Sequence, residues 1–159
     1  MKKLLTIVLI LAAMASLKVD ANQYAMLSVF APGQIPMAQE HLDGVRLNII
    51  YGECMSMNGF DVGLIGRTRE RFNGFQLAAC SSVGTDAAGF QLGLFNLVEQ
   101  DYAGFQLSLW NYVGGTCDGF QLGLVNWAGR LNGLQIGLLN FVDNPDPTWF
   151  CLPIVNFGW

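Results

Sequence analysis

Glycine followed by a hydrophobic residue recurs at Gly44, Gly59, Gly74, Gly89, Gly104, Gly119 and Gly133, at spacings of 15, 15, 15, 15, 15 and 14 residues. A period this regular restricts the chain to architectures that stack one short unit on the next, because a single unit buries too little to stand alone. The best copies read GFQLGLFNLV from Gly89, GFQLSLWNYV from Gly104, GFQLGLVNWA from Gly119 and GLQIGLLNFV from Gly133. A degenerate copy, WFCLPIVNFG, begins at Trp149 with Pro153 in a glycine position. Seven units thus occupy residues 44–148, with 22–43 as a lead-in cap and 149–159 as a capping eighth unit.

Counted from its glycine, each unit is apolar at slots two, four and six: Phe90, Leu92 and Leu94, then Phe105, Leu107 and Leu109, then Phe120, Leu122 and Leu124. Alternation at period two marks a strand with one buried face, so this row is expected to form the core. Slot three is Gln76, Gln91, Gln106, Gln121 and Gln135, and slot five is small: Gly63, Ala78, Gly93, Ser108, Gly123 and Gly137. Both fall on the opposite face. Slot eight, Asn96, Asn111, Asn126, Asn140 and Asn156, shares parity with the apolar row. On this assignment Leu109→Asp would destabilise the whole stack and Glu99→Gln would do almost nothing.

Two arrangements accommodate such strands. In a parallel β-solenoid the coils lie about 4.8 Å apart, identical slots stack, and Gln91, Gln106, Gln121 and Gln135, like Asn96, Asn111, Asn126 and Asn140, can form amide ladders. In an eight-stranded up-and-down β-barrel, neighbouring strands run antiparallel and identical slots land at alternating heights. The terminal Phe157-Gly158-Trp159 suits an outer-membrane strand, but asparagine on the lipid side and uniform connections do not. The expected fold is all-β, a 15-residue-repeat β-solenoid of about seven to eight coils, with the barrel as the alternative.

These units resemble a family of bacterial secreted proteins described as surface-repeat-containing, built on glycine-hydrophobic-glutamine-hydrophobic-glycine-hydrophobic-x-asparagine repeats. The resemblance covers roughly residues 27–159. It includes the lead-in Leu27-Ser28-Val29-Phe30-Ala31-Pro32-Gly33-Gln34-Ile35-Pro36, the divergent first unit from Gly44 to Gly52, and the closing Leu152-Pro153-Ile154-Val155-Asn156-Phe157. It implies export and surface association, and it brings no catalytic or binding residue with it.

The first 21 residues read as a secretory signal peptide, with Lys2 and Lys3 ahead of the apolar run Leu4 to Ala15, which is too short to span a bilayer. Ala13-Met14-Ala15 and Val19-Asp20-Ala21 are both usable cleavage sites, and the second removes the polar Lys18-Val19-Asp20 linker. Beyond residue 21 the chain has no lysine, and its five arginines face eleven acids. Such an acidic surface disfavours nucleic acid and anionic membranes alike. Only 13% of the whole chain is charged and 52% is hydrophobic, a balance opposite to that of disordered chains.

Little in the sequence calls for chemistry. Cys54, Cys80, Cys117 and Cys151 occupy slots eleven, seven, fourteen and three of non-adjacent units, so stacking brings no two within bridging distance and four free thiols are expected. His41, the single histidine, stands between Glu40 and Asp43 without the ligand set of a zinc site, and no serine sits in a G-x-S-x-G elbow. Asp86 and Asp101 share slot thirteen and would stack either as solvated turns or around a cation. Arg67, Arg69 and Arg71 alternate along one edge, interrupted by Glu70. No cofactor, no metal and no enzymatic activity are expected.

The most suggestive surface is slots seven and nine, which contain Phe95, Trp110, Tyr112, Trp127 and Phe141. Such a row could stack on sugars or dock a protein. Alternatively, a turn after slot six would fold it into a second wall of the core. The functional expectation is an exported envelope or surface protein with a non-catalytic scaffold or binding role, its ligand a glycan or protein and its association with the outer membrane open. A small outer-membrane barrel is the alternative, and an enzyme the least supported reading.

Overall fold

The computed structural model describes residues 23–28, 34–35, 41–143 and 151–158. Residues 1–22, 29–33, 36–40, 144–150 and 159, among them both expected cleavage sites and Trp149, lie outside them. Every described element is a strand: β1 (Gln23–Ser28), β2 (Gln34–Ile35), β3 (His41–Cys54), β4 (Ser56–Thr68), β5 (Phe72–Val83), β6 (Ala87–Val98), β7 (Tyr102–Leu107), β8 (Trp110–Leu122), β9 (Val125–Val142) and β10 (Cys151–Gly158).

From β3 to β9 the neighbours are parallel and pair in repeat register. Gly59 lies over Gly44, Gly74 over Gly59, Phe105 over Phe90 and Gln121 over Gln106. This is a β-solenoid of about six turns, slightly shorter than the expected seven to eight coils. Parallel pairing between successive units replaces the up-and-down barrel, in which they would run antiparallel.

The coil closes because its alternation breaks twice. Bends at Ser108-Leu109 and Gly123-Leu124 turn slots six and seven outward together, so slot eight falls on the same side as slot three. A second corner, at slots eleven to thirteen, bends at Arg69-Glu70, Thr85 and Glu99-Gln100. The expected core face is therefore inverted. Phe90, Leu94 and Leu109 are about half exposed at 54%, 47% and 48%, whereas Gln91, Gln106, Gln121, Asn96, Asn111 and Asn126 are fully buried. Strand parity alone, carried straight through slot six, puts asparagine on the wrong face.

The interior has two halves. Beside the charged corner, slot fourteen (Leu42, Met57, Phe72, Ala87, Tyr102, Cys117, Leu131) packs with the column Cys54, Val83, Val98, Val113, Ala128 and Val142 as the hydrophobic core. Behind the slot-six corner the filling is amide. That end is narrow, with Gln135 Nε2 reaching across to the Phe141 carbonyl at 3.3 Å, and successive coils are close, a Cβ on Gly93 standing 2.1 Å from the carbonyl oxygen of Ala78 directly below it. Slot one is equally close, since Gly104 (φ 136°) lies directly over Gly89 and a Cβ there would stand 2.1 Å from the Gly89 carbonyl oxygen. Glycine is thus required by both conformation and approach.

Both ends are capped. β1 runs parallel to β3 and sets buried Met26 beside Arg46, with β2 antiparallel outside it. At the other end β10 is not an eighth stacked coil. It pairs antiparallel with β9, with Ile154 at a positive φ of 70° in the register break beside Pro153. This reversal places Asn156 opposite Gln135, rather than over Asn140.

Candidate functional site: amide ladders and an outward apolar edge

The slot-three column is a directional chain of side-chain hydrogen bonds. Gln135 Nε2 donates to Gln121 Oε1 (2.7 Å), Gln121 to Gln106 (2.8 Å), Gln106 to Gln91 (2.8 Å) and Gln91 to Gln76 (2.9 Å). Gln76 Nε2 then donates to Asp61 Oδ2 at 2.7 Å. A carboxylate only accepts, so Asp61 fixes the direction of every amide above it. At the top Asn156 Nδ2 donates to Gln135 Oε1 at 3.3 Å.

Asp61 is itself held by Arg46, one coil below, through Nε (2.9 Å) and Nη2 (2.6 Å), and by Asn48 Nδ2 (2.7 Å). Both members of the pair are fully buried. Burial alone would lower the Arg46 pKa, but hydrogen bonding and charge attraction from Asp61 outweigh it and the net shift is upward.

The slot-eight column runs the other way. Asn96 Nδ2 donates to Asn111 Oδ1 (3.1 Å), Asn111 to Asn126 (2.8 Å) and Asn126 to Asn140 (2.7 Å). Ser81 Oγ donates to Asn96 Oδ1 at 2.8 Å, and Asn140 Nδ2 ends on the Leu152 carbonyl at 3.1 Å. The ladder amides thus oppose one another in dipole across the narrow end. Asn111 and Asn126 also donate to the carbonyls of Leu122 (3.0 Å) and Ile136 (2.9 Å), tying the corner to the interior.

The expected binding row faces outward and does not fold into a second core wall. Phe95 and Trp110 are exposed, and Tyr112, Trp127 and Phe141 half-exposed. Tyr112 stacks on Trp127 with centroids 6.4 Å apart, and Trp127 on Phe141 at 5.3 Å. The opposite face carries a second ladder, Phe90–Phe105 at 5.7 Å and Phe105–Phe120 at 5.1 Å. The leucines of slot six join the two faces.

The charged groups serve the other corner. Arg69 pairs with Glu53 at 2.7 Å, and the hydrogen bond from Arg69 lowers the Glu53 pKa, against a smaller opposing effect of burial. Arg71 lies 3.7 Å from Asp86, and Asp101 Oδ1 accepts the Thr116 amide at 2.6 Å. Asp43 and Asp118 accept from Asn58 and Asn132 one coil on. Among the described residues no three His, Cys, Asp or Glu side chains gather as a metal cage. His41 is exposed at the start of β3.

All four cysteines are free thiols, with Cys54 and Cys117 buried. Cys54 pairs with Thr68, in the slot-ten column rather than the expected slot eleven, because a register shift lengthens the first corner. Burial pushes both buried thiols up, Cys117 to about 12 with help from the charge of Asp118. In the unfolded chain these thiols lose their protons near the ordinary value of 9.0, while the folded thiols keep theirs. The unfolded state therefore binds fewer protons above that pH, and stability should fall as pH rises through about 9. Urea unfolding across that range checks this. Native alkylation should modify half-buried Cys80 and Cys151 first, and labelling of Cys117 in the folded protein would contradict its position.

Comparison with protein-family models, with curated proteins and with solved structures found no match.

Proposed function

We propose that the chain is an exported bacterial envelope protein of the surface-repeat type, a non-catalytic scaffold that adheres through its outward side chains. The observation that carries this reading is the inverted solenoid: the interior amides are hydrogen-bonded from coil to coil while rows of phenylalanine, leucine and tryptophan point outward. Contiguous apolar surface on this scale marks an interaction site. The signal-peptide-like leader supports export, and a chain with no lysine after it and eleven acids against five arginines disfavours polyanions as partners.

In the producing cell the chain should lose its leader and fractionate with the envelope. Trp110→Ala/Trp127→Ala should release it into the soluble exported fraction by about tenfold or more, with thermal unfolding little changed. Leader-bearing protein held in the cytoplasm, or a variant retained as well as wild type, would contradict the reading.

A further inference from the structure

We infer that the apolar edge of the solenoid is a lipid-docking wedge that enters one leaflet of a bilayer; this rests on the envelope reading above and names the partner of that surface. Charge is segregated around the coil. From the third unit on, slots one to ten (residues 74–83, 89–98, 104–113, 119–128 and 133–142) contain no charged residue. The acids of the same coils, Asp86, Glu99, Asp101, Asp118 and Asp143, lie at or beyond the opposite corner.

The apolar surface is not one flat face. It runs from Phe90 and Phe105 over the slot-six tip, Leu94, Leu109, Leu124 and Leu138, and down the other side to Trp110 and Leu139, all of them at least partly exposed. A flat partner, including a second copy laid face to face, would cover one side and leave the tip and the other side wet. A fluid acyl phase covers all three. Five coils at about 4.8 Å give a ridge roughly 20 Å long, and the wedge need sink only about 5–10 Å, as interfacial elements do.

Backbone amides at the tip are also bonded from coil to coil. Backbone exposed to hydrocarbon must be satisfied internally. At this corner Leu109 N donates to the Leu94 carbonyl (3.0 Å), Leu124 N to Leu109 (3.0 Å) and Leu139 N to Leu124 (3.0 Å), while Ser108 N and Gly123 N donate one coil on, to Leu122 (3.1 Å) and Ile136 (3.0 Å). The asparagine ladder takes up the inner carbonyls. The polar filling of the narrow end is what permits a dry corner, and the tryptophans on its flank suit the headgroup boundary.

Docking by insertion, without basic residues on the wedge, predicts binding to neutral lipid that salt does not weaken. The purified protein should float with phosphatidylcholine vesicles at low and high salt. Brominated lipid should quench its tryptophan emission, and Trp110→Ala/Trp127→Ala should remove most of that quenching. Leu109→Asp/Leu124→Asp should cut vesicle partition at least about tenfold without shifting thermal unfolding appreciably, whereas Gln100→Asp, at the charged corner, should float as wild type does.

Wild type that stays monomeric in the dense fraction overturns the inference. So does a concentration-dependent dimer that shields the tryptophans without vesicles and is split by the Leu109/Leu124 variant. Envelope retention without flotation would sink the lipid wedge and leave the envelope reading standing. Flotation of a chain that is never exported would support the wedge and sink that reading.

Discussion

Asp61→Ala should cost about 3–5 kcal/mol of folding stability, because it leaves the Arg46 guanidinium buried without its counter-charge. Four donors converge on the two Asp61 oxygens: Arg46 Nε and Nη2, Asn48 Nδ2 and Gln76 Nε2. Arg46 keeps only the Arg67 carbonyl at 3.0 Å, Cys54 Sγ at 2.9 Å and a long contact to Thr68 when Asp61 is gone. None of these carries a formal negative charge beside a neutral thiol. Arg46→Met/Asp61→Leu should be far milder, since replacing a buried ion pair by apolar groups of similar size is often close to neutral. Equilibrium unfolding of the single and double variants separates loss of the pair from loss of packing. Equal losses in both would mean that the pair matters only for its volume.

Gln106→Leu should be the next most damaging change, by about 2–4 kcal/mol, although it makes a buried position more hydrophobic. Gln106 is the middle rung, donating to Gln91 and accepting from Gln121. Without it the buried Gln91 Oε1 loses its donor, and Gln121 Nε2 keeps only the distant Trp127 carbonyl at 3.4 Å. Each unmet buried amide group costs about 1–3 kcal/mol, partly offset because Gln106 itself need no longer be desolvated. In an ordinary core the same substitution would be expected to help.

The solenoid, its register and the two ladders were legible in the repeat, because only parallel stacking rewards the same amide at the same slot in every unit. The direction in which the faces point was not. Alternation at slots two, four and six identifies a strand but cannot say which side encloses the core, and the corner that turns Leu109 and Trp110 outward together leaves only a weak mark in the sequence. That mark is the run of small residues at slot five. A glycine strip has no evident use outside a coil, whereas inside it leaves room for the asparagine ladder: a Cβ on Gly123 would stand 2.9 Å from Asn126 Oδ1. The valines of slot ten and the mixed apolar residues of slot fourteen were a second signal, since they have no other place to be buried. The eighth unit matched the pattern and still reversed. β10 is already antiparallel at Cys151 and Leu152, opposite Phe141 and Asn140, and the break at Pro153 shifts its register so that Asn156 lies opposite Gln135 and completes the glutamine column.

Inversion also accounts for a composition in which apolar residues abound and charge is scarce. The apolar excess lies on the outside of the coil around the slot-six edge, and among the described residues the charges other than the buried Arg46–Asp61 pair are gathered at the other corner. Equilibrium urea unfolding of Gln106→Leu beside Leu109→Asp tests this arrangement most directly. Leu109→Asp should stay within about 1 kcal/mol of wild type, as exposed substitutions do, while Gln106→Leu falls by at least about 2 kcal/mol. The reverse order, with Leu109→Asp the more damaging of the two, would contradict the inverted coil and return the phenylalanine-leucine row to the core.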